Sequence, residues 1–198
     1  MIPEKILIQY GAIIKSYDKD EFIFSEGEFA KNYYQIQKGI IKMSNFNDEA
    51  KEFIQGIFYK QQSFGEPPLF IDVAYPANAI AIAESTVYIL PKERFYNLIE
   101  HNKELHFSIT KSLAKRLYYK AIIASEISSQ EPTHRILRFF DYLKDDTPQK
   151  TAPFELKIPY TRQQISDILG LRVETVIRAI KQLEKQGEVV INRRKVYR

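Results

Sequence analysis

Residues 161–187 read TRQQISDILGLRVETVIRAIKQLEKQG. Thr161 is a residue type that caps helix N-termini, and apolar residues follow it at helical spacing. Gly170 comes just after them, where a left-handed glycine commonly ends a helix. This part of the chain therefore predicts a short helix, a tight turn and the start of a second helix.

The second predicted helix begins near Arg172. Val176, Ile180 and Leu183 fall on one face and predict its buried stripe. The polar and charged residues project from the other face, as the second helix of a helix-turn-helix requires in the DNA major groove. These outward residues are Arg172, Glu174, Thr175, Arg178, Lys181 and Gln182.

Two short strand candidates follow, at residues 188–191 and 195–198. Between them Asn192, Arg193 and Arg194 form a polar turn whose guanidinium groups would lie along phosphates. The pattern favours a winged helix-turn-helix that binds DNA. The alternative is a three-helix unit that contacts another protein, because any exposed helix is polar.

Charge is concentrated in the same region. Residues 151–198 contain ten basic and five acidic residues, a net charge of +5, whereas residues 1–150 contain 19 basic and 20 acidic residues, a net charge of −1. A local basic excess attracts a polyanion through counterion release. We therefore expect double-stranded DNA to bind at the C-terminal end.

Length and composition limit the number of domains and the kinds of site that the chain can form. It has 198 residues and is 44% hydrophobic, which suffices for one substantial core and a smaller domain. We find no apolar run near the length of a membrane span and no signal-peptide pattern, so we expect a cytoplasmic protein without membrane contact. The absence of cysteine excludes disulfides, thiolate zinc sites and cysteine-bound iron–sulfur clusters.

Residues from about 16 to 90 contain short runs of β-branched and aromatic residues separated by turn residues, which predict a barrel or jelly roll. The runs are 22–24, 33–36, 39–43, 53–58, 79–82 and 86–90, with Pro67-Pro68 as one of the breaks. Helices are predicted at residues 92–99, 103–128 and 133–143. A polar connector is expected from Lys144 to Pro153.

The helix at 103–128 carries a drifting apolar stripe over more turns than a small domain needs for its own core. We expect this stripe to form a homodimer interface. The alternative is that the helix packs on the barrel of its own chain, with Tyr118, Tyr119, Ile122 and Ile123 on that face. The expected interface residues are Leu105, Ile109, Leu113, Leu117, Ala124 and Ile127.

A barrel, a long helix and a winged helix-turn-helix, in this order, resemble the cyclic-AMP receptor protein/Fnr superfamily of bacterial transcription regulators. The resemblance covers nearly the whole chain. It is carried by Gly27-Glu28, residues 33–36 leading to 39–42, residues 64–70 (FGEPPLF), Arg116-Leu117, residues 161–163 and residues 174–178. It implies an α+β fold: a jelly-roll (double-stranded β-helix) domain like cyclic-nucleotide-binding domains at 1–100, a dimerisation helix at 101–130 and a DNA-binding domain at 131–198.

The resemblance implies an effector pocket formed by Gly65, Glu66 and the segment Tyr75-Pro76-Ala77-Asn78. Cyclic-nucleotide binders carry an Arg-Ser pair there that neutralises the phosphate, and an ungapped count places it on Pro76 and Ala77. Lys120, where such proteins place a hydroxyl that touches the base, would be a replacement cation. We expect no response to cyclic AMP and no resident cofactor, with an unidentified small-molecule effector left open. The alternative is a regulator that binds a cyclic nucleotide or another small ligand through a non-standard pocket.

At the DNA, the resemblance implies an inverted repeat with TTGA-like half-sites. Glu174 and Arg178 would read one C·G pair, Val173 would favour a thymine methyl, and Arg172 would contact phosphate. RNA polymerase is the further expected partner. The expected DNA contacts are Arg162, Gln163, Arg172, Val173, Glu174, Thr175, Arg178, Lys181, Arg193 and Arg194.

Enzymatic and metal-dependent functions find little support. His101, His106 and His134 all follow the predicted barrel, so we expect no metal site within it. Glu66 is accompanied by no paired carboxylate, nucleophile or phosphate-binding glycine loop, and we expect it to cap its turn and bond to barrel amides. We therefore predict that the protein is not an enzyme. A barrel enzyme with a basic accessory domain is the remaining alternative of a different class.

Overall fold

The computed structural model describes residues 1–127, 131–145 and 152–198. They form two compact units, Met1–Ala114 and Lys115–Arg198. The division falls within the long helix, which the sequence led us to treat as a separate segment at 101–130. Among the described residues, no helix has both the length and the apolar character needed to cross a membrane.

The first unit is built around two antiparallel four-stranded sheets, with strand orders β1-β8-β3-β6 and β2-β7-β4-β5. Non-sequential neighbours within each sheet are typical of a jelly roll, as expected from the sequence. The strands are β1 (Ile13–Tyr17), β2 (Phe22–Phe24), β3 (Asn32–Lys38), β4 (Ile41–Phe46), β5 (Glu52–Phe58), β6 (Ser63–Phe64), β7 (Asn78–Ala81) and β8 (Ser85–Pro91).

Four helices begin in this unit: α1 (Glu4–Gln9), α2 (Glu66–Ile71), α3 (Lys92–His101) and α4 (Lys103–Ile127). Pro67-Pro68 lies between strands, as expected, but the break is a short helix, α2, which was not predicted from the sequence. These prolines lie in its first turn, where a missing N–H leaves no helical hydrogen bond unmade.

Helix α4 packs on its own chain more extensively than expected. Ile109 is buried in the core of the first unit, and Leu105 and Leu113 pack against that core. The Ile109 side chain is thus enclosed by its own unit, and its contact with a second protomer stays a prediction. Tyr119 and Ile123 pack in the core of the second unit rather than on the barrel, and Tyr118 is exposed.

The second unit contains α5 (Pro132–Asp145), α6 (Arg162–Leu169), α7 (Val173–Lys185) and a hairpin of β9 (Val190–Asn192) and β10 (Lys195–Tyr197). Ile136, Phe140, Ile165, Val176 and Ile180 are among the residues of its core. Helix α5 continues through Asp145, so Lys144 is helical and not part of the connector. Most of the predicted connector, residues 146–151, lies outside the described residues.

Arg198 ties the end of the chain to this core. Its Nε donates to Asp141 Oδ1 at 2.8 Å and its guanidinium contacts Glu188 Oε2 at 2.8 Å. Paired charges of this kind orient a side chain more than they stabilise the fold, since a partly exposed ion pair contributes about 1 kcal/mol or less. The Arg198 guanidinium is thus engaged by two carboxylates, holds the end of the hairpin in place and is not available to a nucleic acid.

Candidate nucleic-acid interface and effector site

The first helix of the helix-turn-helix is capped at both ends. The Thr161 hydroxyl accepts from the Gln164 backbone N–H at 3.1 Å, and the Gln164 side chain accepts from the Thr161 N–H at 2.9 Å. Gly170 ends α6 in the left-handed conformation, with φ of 64°. The reciprocal capping fixes where α6 begins, and the glycine turn fixes where it ends.

Helix α7 separates a buried stripe from a charged face, as its sequence predicts. Val176, Ile180 and Leu183 are buried, whereas Glu174 and Arg178 are exposed one turn apart. Neither Glu174 nor Arg178 forms an ion pair within the described parts of the chain. Both side chains are therefore free to bond to a partner.

The other predicted DNA-contact residues lie around this face and differ in their exposure and in their existing hydrogen bonds. Arg172 is the N-cap of α7 and is exposed, while Val173 and Thr175 are half-buried. Gln163 is partly committed, because its amide nitrogen donates to Asp167 Oδ1 at 2.8 Å. That bond positions the Gln163 side chain and leaves its amide oxygen as an acceptor.

The wing is a hairpin with a two-residue turn. Asn192 pairs with Lys195, so Arg193 and Arg194 are the turn residues. Their φ angles of 45° and 64° both lie in the left-handed region. Two-residue hairpin turns of this type favour asparagine and glycine. The backbone conformation is therefore unfavourable for arginine at both positions.

A groove of about 780 Å³ lies between α7, the start of α6 and the hairpin. We call it the basic groove. Its apolar floor includes Pro159, Ile177 and Ile191. Its charged lining residues are all cationic: Lys157, Arg162, Lys181, Arg194 and Lys195.

The sequence predicted three of these five cations as DNA contacts, Arg162, Lys181 and Arg194, and missed Lys157 and Lys195. It also did not predict that Ile177 lines the groove. Lys157 precedes the helix-turn-helix and reaches the groove because its strand-like segment pairs with Tyr197. Burial lowers the pKa of Arg162 from its ordinary value, although an arginine stays protonated in proteins. Ile177 had a visible signal, since its helical position falls outside the stripe of Val176, Ile180 and Leu183.

The core of the barrel contains a cluster of aromatic side chains. The rings of Phe24 and Tyr75 stack with centroids 3.6 Å apart, and Tyr34 and Phe64 lie 5.5 and 6.0 Å from Phe24. A Cβ added at Gly65 would lie 3.0 Å from the Phe24 ring and 3.2 Å from the Tyr75 ring. Gly65 therefore allows close approach of these rings, in addition to adopting a positive φ of 76°.

Tyr75 has an unusual environment. Burial first, and the neighbouring Tyr34 second, raise the pKa of its hydroxyl above the ordinary value. Among the described residues the hydroxyl has no hydrogen-bond partner. An unpaired buried hydroxyl destabilises the folded state by about 1–3 kcal/mol, so the tight ring stacking must offset it.

The remaining residues of the expected effector pocket are arranged as follows. Glu66 is buried and accepts a hydrogen bond from the Ser63 hydroxyl. Ala77 is buried in the same core as Tyr75, Pro76 is exposed, and Asn78 Oδ1 accepts from the Glu26 N–H at 2.9 Å. Lys120 belongs to the second unit and is exposed to solvent, although partial desolvation and then the charge of Arg116 lower its pKa.

Part of α4 presents apolar side chains to solvent. Phe107, Leu117 and Tyr118 are exposed by 73%, 71% and 69%. Ala114, Ala121 and Ala124 are exposed along the same helix. Of the expected interface residues, Leu117 and Ala124 therefore lie on a free surface, Leu105 and Leu113 are half-buried, and the Ile127 side chain lies outside the described residues.

No cluster of three or more histidine, aspartate or glutamate residues that could hold a metal ion occurs in residues 1–127, 131–145 and 152–198. His101 lies at the end of α3, where its Nδ1 contacts the Asn97 carbonyl oxygen at 2.8 Å.

Two family models match the chain in the order of its two units. Residues 14–102 match the cyclic nucleotide-binding domain, and residues 134–197 match the Crp-like helix-turn-helix domain. Together the two matches include the barrel, the helix-turn-helix and the wing.

Curated relatives and solved structures agree with this match. The chain is 30% identical to the cAMP-activated global transcriptional regulator CRP of Haemophilus influenzae over 88% of this chain and 78% of that protein. It is 26% identical to Vfr, the cAMP-activated global transcriptional regulator of Pseudomonas aeruginosa, over 88% and 84%.

Its fold is similar to that of a CooA mutant from Carboxydothermus hydrogenoformans, with a TM-score of 0.80 at 17% identity over 99% of this chain and 86% of that chain. It is also similar to the c-di-GMP responsive regulator CLP of Xanthomonas campestris, with a TM-score of 0.74 at 20% identity over 98% of each chain.

Proposed function

The chain belongs to the Crp/Fnr family of transcription regulators, and from this premise we propose that it acts as a homodimer on an inverted-repeat operator. Members of this family are not enzymes, so the alternative of a barrel enzyme with a basic accessory domain is set aside.

The outward face of α7 is the observation that carries the DNA contact. Glu174 and Arg178 are exposed, unpaired among the described residues and one helical turn apart. A carboxylate accepts from cytosine N4 and a guanidinium donates to guanine O6 and N7, so together they suit one C·G pair. Arg193 and Arg194 in the wing would add contacts to phosphate that do not depend on sequence.

We propose dimerisation through the exposed apolar face of α4. Phe107, Leu117 and Tyr118 are exposed apolar side chains of α4, and burying apolar surface contributes about 25 cal/mol per Å². A two-fold dimer would present two copies of α7 to half-sites about one helical turn apart. An inverted repeat follows from that symmetry.

We propose further that cyclic AMP is not the effector, although the relatives named above are cAMP-activated. Pro76 stands where the family's phosphate-binding arginine is expected, and the neighbouring Tyr75 and Ala77 are buried in the barrel core. A buried phosphate without a charge-assisted partner loses about 1.5–3 kcal/mol of stabilisation. The unpaired Tyr75 hydroxyl favours, as a second candidate, a regulator whose different small ligand supplies a hydrogen-bond acceptor.

RNA polymerase is proposed as a partner because the family regulates transcription. Recruitment of purified polymerase to a promoter fragment, with and without the regulator, measures this contact.

A genome-wide occupancy map tests the proposed function. We expect discrete peaks that share a two-fold symmetric motif close to promoters. Uniform occupancy, or peaks without a common motif, would contradict a sequence-specific regulator.

A further inference from the structure

We propose that the basic groove holds one strand of duplex DNA by its deoxyribose rings as well as by its phosphates, and that Ile177 is the residue that contacts the sugars. The inference rests on the proposed DNA-binding function and assigns a role to a residue that base readout and phosphate contacts leave unexplained.

Ile177 is an exposed aliphatic residue on a helix face where half-buried Val173 precedes it by one turn and charged Lys181 follows it by one turn. Its side chain is 40% exposed, whereas the adjacent Val176 is buried completely in the core. Arg178 and Lys181, its neighbours on the exposed surface of α7, are charged. Packing within the second unit therefore covers only part of the isoleucine, and its exposed apolar surface gains from a partner that is also apolar.

The groove around Ile177 combines that apolar floor with a cationic rim. Ile191 from β9 and Pro159 line the same groove, and the groove has no acidic residue among its lining side chains in the described part of the chain. Its five cations form no ion pair with any described carboxylate, in contrast to Arg198 of the same unit. The rim is thus uncompensated positive charge.

A nucleic-acid strand has the matching chemistry, because apolar faces of the sugar alternate with anionic phosphates along it. Lys181 belongs both to the outward face of α7 and to the groove, so a strand whose bases meet Glu174 and Arg178 would continue into the groove. The C2′ methylene of deoxyribose can pack on Ile177. The 2′-hydroxyl of ribose would lose its water there without gaining a partner, which disfavours RNA.

The test compares Ile177→Ser with Val190→Ser in the full-length protein. Val190 is a matched control, since it is a β-branched residue of the same unit, 41% exposed, and does not line the groove. Affinity for one fluorescent duplex is measured by anisotropy at a series of salt concentrations, and thermal melting checks that each variant is folded. Ile177→Val serves as the conservative variant.

We expect Ile177→Ser to weaken duplex binding by roughly 5- to 10-fold, as expected for one or two methylene groups withdrawn from an apolar contact. The slope of log affinity against log salt should stay unchanged, whereas Lys181→Ala should reduce that slope by about 1. Val190→Ser and Ile177→Val should stay within about 2-fold of the wild type, a difference of about 0.4 kcal/mol. An RNA duplex of the same sequence should bind the wild type more weakly and be insensitive to Ile177→Ser.

Equal affinities of the two serine variants would overturn this inference alone. It would also be overturned if polyglutamate displaced the duplex from the wild type but not from Ile177→Ser, because the groove would then be a site for an acidic polypeptide. A wild-type protein that binds no duplex even at low salt would overturn the proposed function together with the inference.

Discussion

At the residue scale, the wing turn contains two arginines in a backbone conformation that disfavours them. Arg193 and Arg194 both occupy left-handed backbone conformations, which cost a residue with a β-carbon about 1–2 kcal/mol each. Strain of this kind persists where the surrounding structure enforces it, and it concentrates at functional sites. Two arginines at the tip of the basic region fit this pattern.

We therefore expect the double variant Arg193→Asn, Arg194→Gly to raise the free energy of unfolding by about 1–2 kcal/mol, because asparagine and glycine suit this turn. The same variant should weaken binding to all duplexes and reduce the salt slope by about 2. Urea unfolding and anisotropy titrations measure the two effects. The control Arg193→Lys, Arg194→Lys keeps both charges and should retain wild-type stability. No gain in stability for the Asn-Gly variant would contradict the strain argument.

Tyr75 gives a second prediction at this scale. If its ring fills the barrel and its hydroxyl has no partner, Tyr75→Phe should leave the free energy of unfolding unchanged or raise it by about 1–3 kcal/mol. Tyr75→Ala should lower it by about 3–5 kcal/mol by opening a cavity beside Phe24.

Thermal and urea unfolding distinguish these outcomes. A clear loss of stability in Tyr75→Phe would mean that the hydroxyl is bonded, and a loss of operator affinity in that variant would favour an effector that the hydroxyl binds.

At the element scale, periodicity and capping residues predicted the helix-turn-helix closely. Thr161, Gly170 and the stripe on α7 each specify local geometry, and the structure places all three as expected. Strand β1 was largely missed because its side chains are exposed at the first four of its five positions, so the edge strand carries no alternating pattern. Helix α2 was missed because two adjacent prolines are as common in a turn as at a helix start.

For the long helix α4, the sequence predicted which residues are apolar but not what covers them. Its apolar residues suggested one interface, but the structure divides them among the core of the first unit, the core of the second unit and solvent. A periodic stripe specifies which side chains avoid water and does not specify which partner covers them. Burial of Ile109 and exposure of Leu117 could therefore be learned only from the folded chain.

The exposed face of α4 leads to a prediction about assembly. Leu117→Glu should convert a dimer to a monomer, because a carboxylate in an apolar seam is desolvated without a partner. Sedimentation velocity measures the mass, and operator affinity should fall with it. Ile13→Glu, at an exposed aliphatic residue of β1, is the matched control and should stay dimeric. A Leu117→Glu protein that remains dimeric would place the interface elsewhere.

At the scale of the whole molecule, the proposal that cyclic AMP is not the effector leads to a prediction about both ligand binding and DNA binding. We expect micromolar cyclic AMP to change neither the melting temperature nor the operator affinity, because no arginine stands at Pro76 and the neighbouring Tyr75 ring is stacked on Phe24 in the core. Calorimetry and anisotropy measure both quantities. A homologous regulator activated by cyclic AMP is the positive control. Stoichiometric binding of cyclic AMP, or an increase in operator affinity, would contradict the account.

The most direct measurement of the central claim is selection of binding sites from random duplex DNA by the wild type and by Arg178→Ala. The wild type should enrich an inverted repeat of TTGA-like half-sites with one C·G pair in each, read by Glu174 and Arg178. Arg178→Ala should weaken the binding free energy by about 1–3 kcal/mol per half-site. It should also lose the base preference at that pair and keep the preference at all other positions. A pool without a symmetric motif, or an unchanged preference at the C·G pair in Arg178→Ala, would contradict the claim that this protein reads DNA as a dimer through α7.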